Sequence, residues 1–324
     1  MKRTALIIGI LVFMLFVTSP AFVRAEEPIT IDYVTFVPKM HAIAKITLED
    51  LQEIEKKSGG RLKFNYRGGP EAMKVPAQAM GVKTGAVDMA ITSPDFYGKM
   101  VKGMEALDLS MVPVTKQKKT GLYDYLNSKF NPVGIQFLMM VPKEQGTMFH
   151  FYSKKEIKKV ADFKGLSLAG TGIFDDVGPA LGMTPVAMQM AEQYTSMEKG
   201  IIDVCRGGLD SLMAFKFFEV AKYIIKPGFG SAPASFFLNL DKWNSMPKDL
   251  QDLFVNSLYE MAPASEKKYK AVDEGALKAG LGKGMEISEL KDKKEFIKIV
   301  NDALYKRSAK DDPEATKKIY ELTH

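Results

Sequence analysis

Segments typical of strands and of helices alternate along most of this chain, and that alternation restricts its fold more than any other feature. The first strand-like segment, 29–36, alternates polar and apolar residues and is rich in β-branched and aromatic ones. The helix-like segment 40–57 carries apolar residues at helical spacing and ends at Gly59 and Gly60. Strand, helix, strand, helix and strand are predicted in turn over 29–36, 40–57, 61–66, 73–83 and 87–91. Short connections between such elements imply a mainly parallel sheet with both faces covered.

The same kind of order returns in the second half of the chain. Strand, helix, helix, strand and helix are predicted over 166–169, 175–181, 190–199, 201–204 and 210–221. A further strand is predicted over 234–239, and one long helix from Pro247 to about residue 279, with a kink at Pro263. The chain is therefore expected to form two α/β units.

The N-terminus has the features of a secretory signal peptide. Lys2 and Arg3 precede an apolar run over 5–17, and Val23-Arg24-Ala25 forms a small-x-small cleavage signal. The alternative, an uncleaved membrane anchor, fits less well because a stable anchor takes about 20 apolar residues. We expect cleavage near Ala25, hence a signal peptide over 1–25, a periplasmic mature chain and no membrane insertion of that chain.

Charge and cysteine content narrow the class of protein. The whole chain has 45 basic and 39 acidic side chains. The signal peptide holds three of the basic ones and no acid, so the mature chain has 42 against 39, a net charge of +3. That charge is too small to indicate nucleic acid as a partner. Cys205 is the only cysteine, so no intramolecular disulfide can form, and we expect the thiol to be buried.

Motifs for catalysis and for cofactors are missing from the sequence. The three histidines are not spaced as metal ligands, and no GxSxG or GxGxxG pattern occurs. We therefore expect no metal, no cofactor and no enzymatic activity. A secreted hydrolase stays open as an alternative because catalytic groups can converge from distant segments.

Several short segments, in order along the chain, resemble one family. They are 83–90 (KTGAVDMA), 162–166 (DFKGL), 181–188 (LGMTPVAM), 192–194 (EQY), 200–203 (GIID), 217–223 (FFEVAKY) and 241–247 (DKWNSMP). Together they are similar to the signature of the solute-binding subunits of tripartite ATP-independent periplasmic (TRAP) transporters, the dicarboxylate-binding-protein-like family. The similarity extends over nearly the whole mature chain.

The resemblance implies a type II periplasmic-binding-protein fold, with two α/β domains, a hinge and a long back helix. It places the first domain at 27–147 plus 236–275 and the second at 148–235 plus 276–324. It also implies a cleft that closes on one small solute, membrane permease subunits as partners, and a monomeric binding protein. A free-standing sensor or scavenger of the same fold is the main alternative function.

Four positions depart from the family pattern where the family contacts its solute. The family arginine of the 166–170 strand is Ala169 here, and a second family arginine falls on Met148. The cleft asparagine falls on Gly207 and a cleft aromatic residue on Met190. A carboxylate placed as the family places it would lack its bidentate partner. We therefore expect the solute not to be an ordinary C4-dicarboxylate or sialic acid, and we expect Met148 and Met190 to form adaptable walls.

Two kinds of solute fit these departures. Either the solute is neutral, largely apolar or aromatic, or a substitute cation holds an acid from another direction. Arg206 is the candidate substitute, although strand alternation would turn its side chain away from the face that Gly207 occupies. A structural ion pair is the alternative role for Arg206.

Further candidate contacts lie where strands end and at the second crossing strand. Phe36 and His41 flank the first loop, and a capping or packing role fits His41 better than solute contact. Glu71 is a possible hydrogen-bond acceptor or a solvated loop acid, Tyr97 a possible stacking wall, and Phe236 a residue of the crossing strand that could face the cleft.

Overall fold

The computed structural model describes residues 27–143, 145–231 and 233–324. The predicted signal peptide, 1–25, lies outside these residues. Up to the first crossing between domains, the elements are β1 (Ile29–Thr35), α1 (Ala42–Lys57), β2 (Leu62–Gly68), α2 (Val75–Thr84), β3 (Met89–Thr92), α3 (Pro94–Tyr97), α4 (Leu122–Phe130) and β4 (Ile135–Met140). A 3-10 helix over Met104–Leu109 lies between α3 and α4.

The remaining helices and strands begin after the first crossing between domains. They are β5 (Phe149–Ser153), β6 (Ser167–Gly170), α5 (Phe174–Ala180), β7 (Thr184–Ala187), α6 (Gln193–Glu198), β8 (Val204–Gly207), α7 (Leu209–Ala214), β9 (Tyr223–Phe229), β10 (Ser235–Asn239), α8 (Leu240–Asn244), α9 (Lys248–Gly282), β11 (Glu286–Glu289), α10 (Lys293–Asp311) and α11 (Pro313–Thr323).

Two separate sheets organise the chain. The first has the order β2-β1-β3-β10-β4, and the second has the order β11-β9-β5-β8-β6-β7. In the first sheet, β10 is antiparallel to both of its neighbours, and the other strands share one direction. In the second sheet, β5 is the antiparallel strand. Each sheet is therefore mostly parallel, as the alternating sequence predicts.

The connectivity brings one end of the strands in each sheet to face the strand ends of the other sheet. The chain passes from the carboxyl end of β4 to the start of β5, and it returns from the carboxyl end of β9 to the start of β10. Because these crossings join the carboxyl ends of the parallel strands in both sheets, those ends border the same space. We call this space the cleft.

Hydrogen bonds tie the two crossing segments together. Val141 N donates to Ala234 O (2.6 Å), Gly146 N to Ser231 Oγ (2.8 Å), and Met148 N to Gly230 O (3.0 Å). A two-segment connection of this kind holds the domains in register while leaving few backbone positions to change during a hinge motion.

The long helix α9 runs along both domains. Its N-terminal half buries Leu250, Phe254 and Leu258 in the core of the first domain. Its C-terminal half places Leu277 against the core beside β5 and β8 of the second domain. At 35 residues it is about 50 Å long, and the helix continues through Pro263.

The C-terminal helices divide between the two cores. Phe296, Val300 and Leu304 of α10 pack in the second domain. Ala315 and Ile319 of α11 pack instead in the first-domain core. The domain boundaries taken from the resemblance remain a prediction. That prediction assigns all of 276–324 to the second domain.

The predicted α/β fold with two units and a long back helix is confirmed. The predicted helix over 210–221 is shorter than expected: α7 ends at Ala214, because Lys216 adopts a left-handed conformation (φ 55°) that an α-helix cannot continue through. Cys205 is buried, as expected.

Candidate functional site

Two pairs of side chains from opposite domains make contact beside the cleft, and we call these two places its rims. On one side, His41 Nε2 lies 3.4 Å from Asp210 Oδ2, which joins the N-terminus of α1 to α7. On the other side, Arg307 Nη2 of α10 lies 3.5 Å from Asp95 Oδ1 of α3. The two domains therefore touch each other at both rims.

The first rim contains a buried charge network. Lys143, on the first crossing segment, lies 3.2 Å from Asp210 and 3.3 Å from Asp273 of α9, and its side chain is 4% exposed. Burial alone would raise the pKa of Asp210, but Lys143 and His41 outweigh that effect and lower it. Burial lowers the pKa of His41, although Asp210 opposes the shift. The imidazole is therefore neutral near pH 7.

The tautomer of His41 follows from its two contacts. Its Nδ1 accepts a hydrogen bond from Ile43 N (3.2 Å), which caps α1. The proton of the neutral ring is then on Nε2, which faces the Asp210 carboxylate. The capping role weighed for His41 is thus present, together with a contact between domains.

The second rim is built on a glycine. Arg307 Nη1 donates to Asp176 Oδ2 (2.7 Å) and to Gly172 O (3.1 Å). Gly172 has a φ of +65°, and a Cβ added there would lie 2.9 Å from Asp95 Oδ2. The Asp95 carboxylate therefore packs directly on the Gly172 backbone of the opposite domain.

Arg206 lies at the cleft end of β8. Its guanidinium carbon lies 4.4 Å from the centre of the Phe174 ring, and its Nε lies 3.3 Å from Ala169 O. Among the described residues, no carboxylate lies within the 4 Å of an ion pair. The structural ion pair considered for Arg206 is thus not formed within that part of the chain.

Met148 and Met190 both approach the end of β8. A Cβ added to Gly207 would lie 3.4 Å from Met190 Cε, and one added to Gly208 would lie 3.0 Å from Met148 Cε. Both methionines are half-buried. Met148 also lines a cavity of about 450 Å³ beside α9, together with His150 and Lys226.

Ala169 is fully buried among Tyr152, Met188 and Cys205. Its methyl group fills a core position on one face of the sheet, while the Arg206 side chain lies on the opposite face over Phe174. Position 169 therefore does not provide a positive charge to the cleft.

The aromatic wall near α3 differs from the one expected. Tyr97 is only 2% exposed and makes edge contacts with Phe130 and Phe237 in the first-domain core. Its neighbour Phe96 is 37% exposed, with its ring centre 6.4 Å from that of Phe36. Neighbouring residues of α3 point in different directions, so Tyr97 is buried and Phe96 is the exposed aromatic residue.

Two further candidates have local or core roles in this arrangement. Glu71 Oε1 accepts a hydrogen bond from Gly69 N (2.7 Å), so the carboxylate closes its own loop, and backbone hydrogen bonds lower its pKa. Phe236 is 1% exposed, between Ile91 and Met139 in the sheet. Although Phe236 belongs to the crossing strand β10, its ring does not reach the surface.

Several residues at the rims were missed by sequence reasoning. Lys143, Asp210, Asp95 and Arg307 come from four separate segments, and no local pattern relates them. No group of three or more His, Cys, Asp or Glu residues within 27–143, 145–231 and 233–324 is arranged to hold a metal ion. No helix in that same part of the chain is long and apolar enough to cross a membrane.

Two mostly parallel sheets that face each other across paired crossing segments, with a long helix along both, define a solute-binding protein of the type II periplasmic-binding fold. The chain belongs to the bacterial extracellular solute-binding proteins, family 7, whose model matches residues 34–312. Its structural neighbours are TRAP periplasmic solute-binding proteins.

Particular relatives agree with this assignment. The 2,3-diketo-L-gulonate-binding periplasmic protein of Escherichia coli K12 is 25% identical over 302 residues, covering 90% of this chain and 89% of that protein. A TRAP solute-binding protein from Desulfovibrio salexigens with bound orotic acid has a TM-score of 0.77 at 18% identity, covering 91% of this chain and 97% of that one. A Bordetella pertussis solute receptor that binds pyroglutamic acid has a TM-score of 0.76 at 14% identity, covering 91% and 99%.

Proposed function

We propose that this chain works outside the cytoplasm, captures one small organic solute in the cleft, and delivers it to the membrane permease of a TRAP transporter. The observation that carries the proposal is a cleft between two domains that touch across it, where His41 of one domain contacts Asp210 of the other. A cleft closed by contacts between domains is suited to binding by hinge motion. The relevant form is periplasmic and monomeric in this proposal, with no catalytic step.

The contacts at the rims support a specific closing mechanism. Opening the hinge would separate His41 from Asp210 and Asp95 from Arg307, which exposes the Asp210 and Asp95 carboxylates to water. A solute that contacts both domains would offset the cost of closure and shift the population toward the closed state. The permease would then recognise the closed form.

The proposed solute is neither an ordinary C4-dicarboxylate nor sialic acid. Ala169 is buried in the core, so the carboxylate-binding arginine that the family resemblance implies there has no equivalent at that position. Removing one partner of a buried charge pair typically costs about 2–5 kcal/mol, or roughly 30- to 4,000-fold in affinity. Of the two kinds of solute considered, an acid held from another direction is favoured, because structural neighbours bind orotic acid and pyroglutamic acid.

The proposed solute contacts come from both domains. On the second domain they are Met148, Met190, Gly207 and Arg206. Met190 lies by Gly207 and Met148 by Gly208, and Arg206 lies on the other face of β8. On the first domain they are Phe36 with Phe96, and Glu71 at the loop edge. The methionines supply an adaptable apolar surface around the polar anchor.

Small-angle X-ray scattering of the purified chain with and without candidate acids tests the proposal. Orotate, pyroglutamate, glucuronate and 2-oxobutyrate are the probes, and a compaction that saturates at one molecule per chain is expected for at least one of them. Uptake of the solute by cells that lack the chain then distinguishes a transport role from the alternative functions. Solute binding without loss of uptake would favour a sensor or scavenger, and release of a chemically changed solute would favour a hydrolase. No compaction with any probe and no bound solute after purification would contradict solute binding.

A further inference from the structure

We propose that Arg206 anchors one carboxylate of the solute, and that the cleft takes acids with a single carboxylate in preference to those with two. This inference rests on the proposed function, since it concerns what the same cleft binds. It is drawn from the unpaired guanidinium of Arg206 and from the charges around it.

Arg206 is a nearly buried cation that forms no close ion pair with a described residue, although the Asp95 and Asp175 charges act on it from farther away. The residue is 9% exposed, and among the described residues its one side-chain hydrogen bond is from Nε to Ala169 O. Its terminal nitrogens have no partner in that part of the chain, yet neither is completely enclosed. A buried charge is normally paired, because its desolvation is otherwise uncompensated. The missing partner is therefore expected to come from the solute.

The surroundings hold the guanidinium in one orientation. The Phe174 ring packs against one face at 4.4 Å, and Ala169 O accepts from the Nε edge. The main chain of Arg206 is held as well, because Arg206 N donates to Gln193 Oε1 (2.9 Å). A fork fixed in this way is preorganised for a planar oxyanion, and less side-chain entropy is lost on binding.

The side chain keeps its charge despite burial. Desolvation lowers the pKa of Arg206 to about 10, with Asp95 and Asp175 opposing the shift. A group with that pKa is still protonated at neutral pH. Arg206 can therefore pair with a carboxylate under the conditions in which the chain would work.

The neighbouring charges limit how many carboxylates the solute can bring. Arg307 is already shared between Asp95 and Asp176. Asp175 lies at the cleft end of β6, where a Cβ on Gly170 would be 2.7 Å from its Oδ1. The guanidinium groups of Arg206 and Arg307 thus share three neighbouring carboxylates, those of Asp95, Asp175 and Asp176. One solute carboxylate can form the close pair that Arg206 lacks, whereas a second would only add to the existing excess of negative charge.

The remainder of the solute is expected to be uncharged. The other surfaces proposed for the cleft are the Phe36–Phe96 pair and, by Gly207 and Gly208 at the end of β8, the Met148 and Met190 side chains. Aromatic and thioether groups favour flat or apolar bodies. The class is therefore a monocarboxylate with a neutral, partly apolar body.

Side-chain nitrogen NMR tests the anchor without knowledge of the natural solute. Acetate and succinate, the smallest matched probes, are titrated into ¹⁵N-labelled wild-type chain, and the Arg206 Nε–H signal is assigned by its loss in Arg206→Lys. Acetate is expected to shift this signal saturably in the millimolar range, and succinate is expected to bind at least tenfold more weakly. An unchanged Arg206 signal, or succinate binding as tightly as acetate, would overturn the inference.

Variants add a second readout. Arg206→Gln is expected to abolish the shift in melting temperature that acetate produces, and Arg206→Lys to retain a reduced shift because it keeps the charge but loses the fork. Arg67→Gln, on the exposed face of edge strand β2, is the matched control and should leave the shift unchanged. If Arg206→Gln does not fold, the wild-type titration still decides. A chain that compacts on a solute while its Arg206 signal ignores acetate would refute the anchor and leave solute binding intact.

Discussion

His41 Nε2 lies 3.4 Å from Asp210 Oδ2, so the residue that caps α1 in the first domain also contacts α7 of the second. The capping bond uses Nδ1, and the contact between domains uses Nε2. One imidazole therefore contributes to the stability of a helix and to the closed state of the cleft. The two contributions can be separated by substitution.

His41→Asn is expected to keep the cap and lose the contact between domains. The Asn side-chain oxygen is among the best N-cap acceptors, but it is too short to approach Asp210 as the imidazole does. We predict a free energy of unfolding within about 0.5 kcal/mol of wild type, measured by urea denaturation. We also predict weaker solute affinity, because the closed state loses a contact.

His41→Ala is the comparison for that experiment. It removes the cap as well, so its free energy of unfolding should fall by about 1 kcal/mol. If His41→Asn binds solute as tightly as wild type, the contact with Asp210 does not contribute to closure.

Lys143→Met is expected to destabilise the chain strongly. The Lys143 ammonium group is buried between Asp210 and Asp273, and its removal leaves both carboxylates without their cation. Breaking a buried pair by removing one partner costs about 3–5 kcal/mol. Lys248→Met is the control: its pair with Asp252 is solvent-exposed, and its loss should change stability by less than about 1 kcal/mol. Equal effects of the two substitutions in urea denaturation would show that the buried network is not stabilising.

Gly172→Ala is expected to hinder closure. Both Gly172 (φ +65°) and Gly165 (φ +80°) adopt a left-handed conformation, so Ala at either site carries backbone strain of roughly 1 kcal/mol. An added Cβ at Gly172 also meets the Asp95 carboxylate, whereas one at Gly165 has nothing within 4 Å. Gly172→Ala should therefore weaken solute binding more than Gly165→Ala does, as measured by calorimetric titration. Equal affinities would mean that Asp95 moves aside without cost.

Asp50 predicts a pH dependence of stability. Burial raises the pKa of Asp50 to about 6, opposed by the hydroxyl of Ser265, which donates to the carboxylate at 2.8 Å. Because the folded pKa exceeds the unfolded value of about 3.9, the protonated form is favoured on folding. Its contribution is fully present below about pH 4 and is lost as pH rises through about 6.

Asp50→Asn should remove that loss. We expect the difference in free energy of unfolding between Asp50→Asn and wild type to change by on the order of 2 kcal/mol between pH 4 and pH 7, in favour of the variant at the higher pH. The measurement is urea denaturation at several pH values. A constant difference across that range would show that the pKa of Asp50 is not raised.

Local periodicity was sufficient to predict much of the fold. Strand β2 and helices α1 and α9 have alternating or 3.6-residue patterns, because each buries one face. Strand β4 has no such pattern, since all six of its residues are buried, and a short apolar run does not distinguish a strand from a helix. Strand β9 contains Pro227, which argues against a strand in sequence alone.

The candidate site was predictable only in part. Strand alternation correctly placed Arg206 and Cys205 on opposite faces of β8. The contact of Arg206 with Ala169 O depends on which strands become neighbours in the sheet, which spacing along the chain does not determine. Likewise, the choice between Phe96 and Tyr97 as the exposed ring depends on the position of Phe130 and Phe237 in the core.

Native mass spectrometry of the chain as purified, followed by denaturation and identification of the released molecule, tests the central claim most directly. We expect one molecule per chain, an organic acid with one carboxylate, and its loss in Arg206→Gln. A chain that carries no molecule as purified and gains none from a panel of organic acids would contradict the assignment of a solute-binding cleft.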